Sequence, residues 1–134
     1  MDIKKHIAAL GFVPKNGTNG IYHKIYVDYA IEIDFEKQSI NYGSAITAES
    51  KTTQNFSRPE NFVVLECVDR LLTKGYKPQN IVLEKTWPSG HGTSGRLDIC
   101  VNREDGTPYM LIECKTFGKE YNKELARIRK DGGQ

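Results

Sequence analysis

Long hydrophobic runs are missing from this chain: nothing approaches the roughly eighteen consecutive apolar residues that a membrane-spanning helix needs. The opening Met1-Asp2-Ile3-Lys4-Lys5-His6 also lacks the apolar core of a signal peptide. Charge of one sign is missing too. Nineteen Lys and Arg stand against seventeen Asp and Glu, a net charge of +2, so any basic surface for nucleic acid must be local. Cysteine is scarce and odd in number: Cys67, Cys100 and Cys114. That excludes a disulfide framework, and no two lie close enough for a zinc knuckle. They read as small buried thiols in a reducing cytoplasm. The glycine-rich loop Pro88–Gly95 lacks the lysine of a nucleotide P-loop.

What is present suits a single domain, 1–134, with one core. Hydrophobic content of 38% and charged content of 27% are ordinary for a globular protein. The spacing predicts a short amphipathic helix over Asp2–Leu10, with Ile3, Ile7 and Leu10 on one stripe and Gly11 ending it. Pro14–Gly20 is turn chemistry. Alternation then predicts strands from Ile21, from Ile31 to Phe35 and around Ile40-Asn41-Tyr42, an N-terminal β-meander. Gly43–Phe56 is polar and uneven and reads as a mobile surface connection between residues 1–56 and a core over 57–134. Ser57-Arg58-Pro59-Glu60 is a helix start, with Ser57 as cap and Glu60 at the capping-box position. That helix runs to about Lys74, and Gly75 closes it. Val64, Leu65, Val68, Leu71 and Leu72 form its buried stripe. Glu60 lies beside the stripe, and Glu66 lies nearly opposite it, in solvent. A strand follows from Asn80 to Trp87.

The densest signal is a hairpin. Apolar runs at Leu97–Val101 and Pro108–Cys114 flank Asp105-Gly106, and Asp-Gly between β-type runs favours a two-residue type I′ turn. Counting outward, Cys100 faces Leu111 and Asp98 faces Glu113. Alternation puts Asp98, Glu113 and Lys115 on one face, with Leu97, Ile99, Val101, Ile112 and Cys114 on the other. Directly opposed carboxylates repel. A divalent cation between them removes the repulsion, and Mg²⁺ is commonly held by one or two carboxylates plus waters and phosphate oxygens. Lys115 points at the same place, where it can orient a water or stabilise developing charge. A plain surface salt bridge remains the alternative.

Asp98 followed by Glu113-Cys114-Lys115 resembles the Asp…Glu-x-Lys core of the PD-(D/E)xK nuclease superfamily. Arg96-Leu97-Asp98-Ile99 and Leu111-Ile112-Glu113-Cys114-Lys115 are similar to the N-terminal domain of type I restriction enzyme R subunits. They also resemble the related domain of methyltransferase-fused restriction–modification proteins. The proline that usually precedes the first Asp is absent here. The resemblance implies an α/β (α+β) fold: a restriction-endonuclease-like mixed sheet flanked by the helices from Ser57 and Phe117. It implies Mg²⁺-dependent hydrolysis of DNA, with Mn²⁺ as a substitute, by Asp98, Glu113, Lys115 and Glu60. Metal ligands would be Asp98, Glu113 and the Cys114 carbonyl. Gly95, Arg96 and His91 would lie beside a substrate phosphate. Glu60 is equally readable as a helix cap. Glu84 matches an acidic position of the family and is either a supporting group or an edge-strand surface acid.

The expected partners are DNA and the methyltransferase or motor parts of a restriction–modification protein. The alternative function is a module that binds DNA or such a partner and cuts nothing. The helix over Phe117–Asp131 has an apolar seam of Tyr121, Leu125 and Ile128 that offers a homodimer contact. Gln134 stands where the family places the Gln of a Gln-x-x-x-Tyr motif, so a fragment of a longer chain is expected.

Overall fold

The computed structural model describes residues 2–88 and 94–114. Its first helix, α1, spans Ile3–Ala9, and the Asp2 carboxylate accepts from the Lys5 amide to cap it. Four strands follow: β1 (Val13–Pro14), β2 (Ile21–Tyr26), β3 (Tyr29–Asp34) and β4 (Ser39–Asn41). They pair antiparallel in the order β1-β2-β3-β4, which is the expected meander with one extra strand. The second sheet holds β5 (Thr47–Ala48), β6 (Ile81–Pro88), β7 (Ser94–Asn102) and β8 (Pro108–Ile112), in that order. β5 runs parallel to β6 and the other pairs are antiparallel, so this sheet is mixed. Between the sheets in sequence lies α2 (Glu60–Thr73). The fold is therefore α+β, as the resemblance implied.

The α2 stripe does what its spacing predicts. Val64, Leu65, Val68, Leu71 and Leu72 are all buried. They share one apolar cluster with Ile7, Phe12, Ile31, Ile33 and Ile40 of the first half and with Ile81, Leu83, Ile99 and Val101 of the second sheet. Edge-to-face ring contacts run from Tyr22 through Phe35 and Phe56 to Phe62, stitching β2 and β3 to the start of α2. A polar tie crosses the same boundary. Asp69 on α2 accepts from Lys24 Nζ at 2.7 Å and from the Tyr26 hydroxyl at 2.6 Å, and Lys24 also donates to the Leu10 carbonyl. Lys24 is thus committed to the protein's own packing.

The two ends of α2 differ. At the C-terminus, Gly75 has φ +99°; its amide reaches the Leu72 carbonyl, and the Tyr76 amide reaches Leu71. That double closure needs a left-handed residue, which glycine supplies. At the N-terminus the expected Ser57 cap is not made. Ser57 instead gives both its amide and its hydroxyl to Asn55 Oδ1, and Pro59 occupies the cap position without a side-chain bond. The Ser57 hydroxyl is turned to donate to a local Asn acceptor two residues away instead of accepting from the helix amides.

Gly43–Phe56 is not the loose connection expected. It contributes β5 and the buried Ile46 and Thr53, and the Asn61 amide clamps it through the carbonyls of Thr52 and Asn55. No helix among the described residues is long and apolar enough to cross a membrane.

Candidate functional site

The β7–β8 hairpin reaches the expected register by a different route. Its tip is a three-residue loop, closed by the Arg103 amide on the Thr107 carbonyl, with the Gly106 amide on the Arg103 carbonyl. Only Gly106, at φ +88°, is left-handed, whereas a type I′ turn needs both central residues so. Asp105 is held otherwise: its carboxylate accepts from the amide and hydroxyl of Thr107. The extra loop residue would push every outward pair out of step. A bulge cancels it, because Asn102 pairs with Pro108 while Val101 pairs with Met110, leaving Tyr109 unmatched. From there Cys100 faces Leu111 and Ile99 faces Ile112, as counted from the sequence.

The paired register ends at Ile99 and Ile112, one step short of Asp98 and Glu113. The Cys114 amide donates to Asp98 Oδ2 at 2.7 Å, so a side chain takes the bond that a continuing ladder would use. β8 ends at Ile112. Glu113 is exposed and Asp98 half-buried. Cys114 is buried in the core cluster with Ile99 and Val101, as expected. Leu97 departs from that row. It pairs with Lys85, and Lys85 lines a surface hollow with Cys100 on the sheet face away from the core.

The departure has a source. β6 and β7 pair regularly from Ile81–Val101 to Leu83–Ile99, skip Glu84 opposite Asp98, and resume at Lys85–Leu97. Glu84 has φ +53°, a left-handed backbone that bulky residues seldom adopt. The ladder misses one pair there and keeps the same register on both sides. Glu84 is no edge-strand surface acid: it is 0% exposed on an interior strand. Its Oε1 accepts from the Thr52 hydroxyl, and an Arg58 guanidinium nitrogen lies 4.0 Å away. Backbone strain of this sort costs about 1–3 kcal/mol and collects at functional sites.

Glu84 and Asp98 thus stand at the skipped position of the β6–β7 ladder, and Glu113 follows the end of β8. Thr52 and Arg58 beside Glu84 went unnoticed in the sequence, since neither has periodicity or motif to mark it. Glu60 opens α2, half-buried, two residues beyond Arg58. Glu66 is paired at the surface with Arg70 at 2.8 Å and lies 3.6 Å from His6. Among the described residues no three His, Cys, Asp or Glu side chains are gathered as a metal cage. Lys115, His91 and Gln134 lie outside the described residues, as does the expected helix from Phe117. So do the side chains of Gly95's neighbour Arg96 and of Trp87.

The Cys114 thiol donates to Cys67 Sγ at 3.7 Å. That bond lowers the Cys67 thiol from its ordinary value. It raises the Cys114 thiol, and burial raises it further.

An α+β domain with a mixed sheet, a buried Glu84 on its inner strand and Asp98 held by the Cys114 amide is the class these observations define. Within it, the family described as Type I restriction enzyme R protein N terminus (HSDR_N) matches residues 59–130, and the chain belongs to that family. The match opens at the cap of α2, spans Glu60, Glu84, Asp98, Glu113, Cys114 and Lys115, and stops before Gln134. No curated protein matches the chain.

Proposed function

We propose that the chain is the metal-dependent DNA-cleaving domain of a restriction–modification protein, working alongside that protein's methyltransferase or motor components. The observation that carries this reading is the β7–β8 register, which, continued one step past Ile99 and Ile112, would set Asp98 opposite Glu113 within the family-matched stretch. Two carboxylates and a backbone carbonyl are hard oxygen donors. They suit Mg²⁺, which takes one or two carboxylates and completes its shell with water and phosphate oxygens. A cage of three acidic side chains is not required for that ion.

Asp98, Glu113 and the Cys114 carbonyl would hold the ion. When bound, Mg²⁺ polarises a phosphoryl oxygen and lowers the pKa of a bound water. Asp98 is fixed for this role by the Cys114 amide, which leaves its other oxygen to face the site. Glu84 stands with Asp98 at the skipped position of the ladder and supports it, anchored by Thr52 and Arg58. Lys115 orients the attacking water and stabilises charge on the phosphoryl group. Gly95, Arg96 and His91, on the approach to β7, contact the substrate phosphates.

Isothermal titration with Mn²⁺ tests the site directly. Asp98→Ala and Glu113→Ala should each abolish binding, while circular dichroism shows an unchanged fold. Wild-type affinity in both variants would mean that the ligands are misassigned. Binding without any cleavage of DNA by the parent protein would favour a non-cutting module instead.

A further inference from the structure

Cys67 and Cys114 come from different elements. Cys67 sits on α2, half-buried, and Cys114 follows the end of β8 and is 6% exposed. Their sulfurs are 3.7 Å apart across 47 residues of chain, and both are free thiols. A disulfide bond is about 2.05 Å long, so closing the gap takes roughly 1.7 Å, shared between two side chains that can each turn about χ1. Cys100, on the opposite face of the sheet, has no sulfur near it and donates instead to Asn102.

We infer that Cys67 and Cys114 form an oxidisable pair, a modification site whose disulfide pins the Glu113–Cys114 segment to α2. The inference does not depend on Asp98 and Glu113 binding metal. The oxidant is a peroxide, and Cys67 meets it first because Cys114 is the more deeply buried. The Cys67 sulfur attacks one peroxide oxygen, the O–O bond breaks, and the departing hydroxide leaves as water with the Cys67 proton. This gives a sulfenic acid on Cys67. The Cys114 sulfur then displaces hydroxide from it, forming the S–S bond. That hydroxide takes the Cys114 proton and leaves as a second water. Two electrons pass from the sulfurs to the peroxide.

The bond would fix the residue whose amide holds Asp98 against the helix that carries Glu60. Asp98 would then have a covalent backing in oxidising conditions and a hydrogen-bonded one in reducing conditions.

The whole chain treated with hydrogen peroxide, digested without reductant and mapped by mass spectrometry gives the answer. The expected result is one Cys67–Cys114 linked peptide pair, lighter by two hydrogens, with Cys100 still a thiol. The melting temperature of the oxidised chain should rise by about 5 °C or more, because the link closes a long loop, and dithiothreitol should reverse both changes. Cys67→Ser should remove the link and the shift together. Links between chains, a link to Cys100, or conversion of Cys67 to the sulfinic acid with Cys114 untouched would each overturn the inference.

Discussion

Replacing Asp69 by alanine should cost more stability than any other single polar change among the described residues of α2. Its side chain is only 9% exposed and accepts two charge-strengthened hydrogen bonds, from Lys24 at 2.7 Å and Tyr26 at 2.6 Å. Each such bond contributes about 1.5–3 kcal/mol, a gross loss of roughly 3–6 kcal/mol. Two effects reduce it. The buried carboxylate no longer needs desolvating, and Lys24, 23% exposed, keeps the Leu10 carbonyl and some water. A net destabilisation of about 2–3 kcal/mol remains, below the usual cost of breaking a fully buried pair. For a chain of this length that lowers the melting temperature by roughly 6–12 °C. Thermal unfolding followed by circular dichroism reads it, with Asp69→Asn expected to lose less because the amide oxygen still accepts. Tyr26→Phe should cost about 1 kcal/mol, the share of one hydroxyl bond. Glu66→Ala, which removes an exposed pair with Arg70, should stay within about 0.5 kcal/mol. If Asp69→Ala matched Glu66→Ala, the polar tie between the meander and α2 would not be a stabilising contact.

Two glycines separate backbone strain from collision. Gly106→Ala meets open space and should cost about 1–2 kcal/mol for its left-handed backbone alone, whereas Gly43→Ala also drives a methyl into the Tyr29 hydroxyl and should cost clearly more in urea unfolding. Glu49 accepts from the Thr86 amide and hydroxyl, which with help from Lys85 hold its carboxyl below the ordinary 4.5. A lowered carboxylate stabilises the fold above its unfolded pKa and loses that contribution as pH falls through the folded value. Thr86→Val should therefore move the Glu49 midpoint up in an NMR titration, and an unmoved midpoint would discount the hydroxyl. In the intact parent, Lys115→Ala should slow DNA cleavage by a factor of about a hundred or more with metal affinity little changed, the scale of one lost transition-state donor. Undiminished cutting would remove Lys115 from the reaction.

The residues that repeat were readable and those that break a repeat were not. The α2 stripe, the meander and the Gly75 stop follow from spacing and glycine chemistry, because each depends on neighbours in sequence. The pairing of Cys100 with Leu111 was also readable, although through a turn that does not form: the loop and the bulge err by one residue in opposite senses. Glu84 was marked by its match to a family position, but its full burial and left-handed backbone were not legible, because alternation assumes an unbroken strand and no composition signals the break. Thr52 and Arg58 escaped because their partner lies at the sheet's centre, far along the chain. Ser57 misled because Asn55, two residues back, accepts its amide and hydroxyl and turns them from the helix.

The bulge at Tyr109 has a mechanical meaning. The three-residue loop and the bulge each shift the pairing by one residue in opposite senses, so the strands reach Val101 and Met110 in the phase that a two-residue turn without a bulge would give. The bulge acts as an expansion joint: whatever reshapes the hairpin's tip is absorbed before it reaches Asp98. An Asp105→Asn change that favours the tight turn would redraw the tip and leave Asp98 where it is.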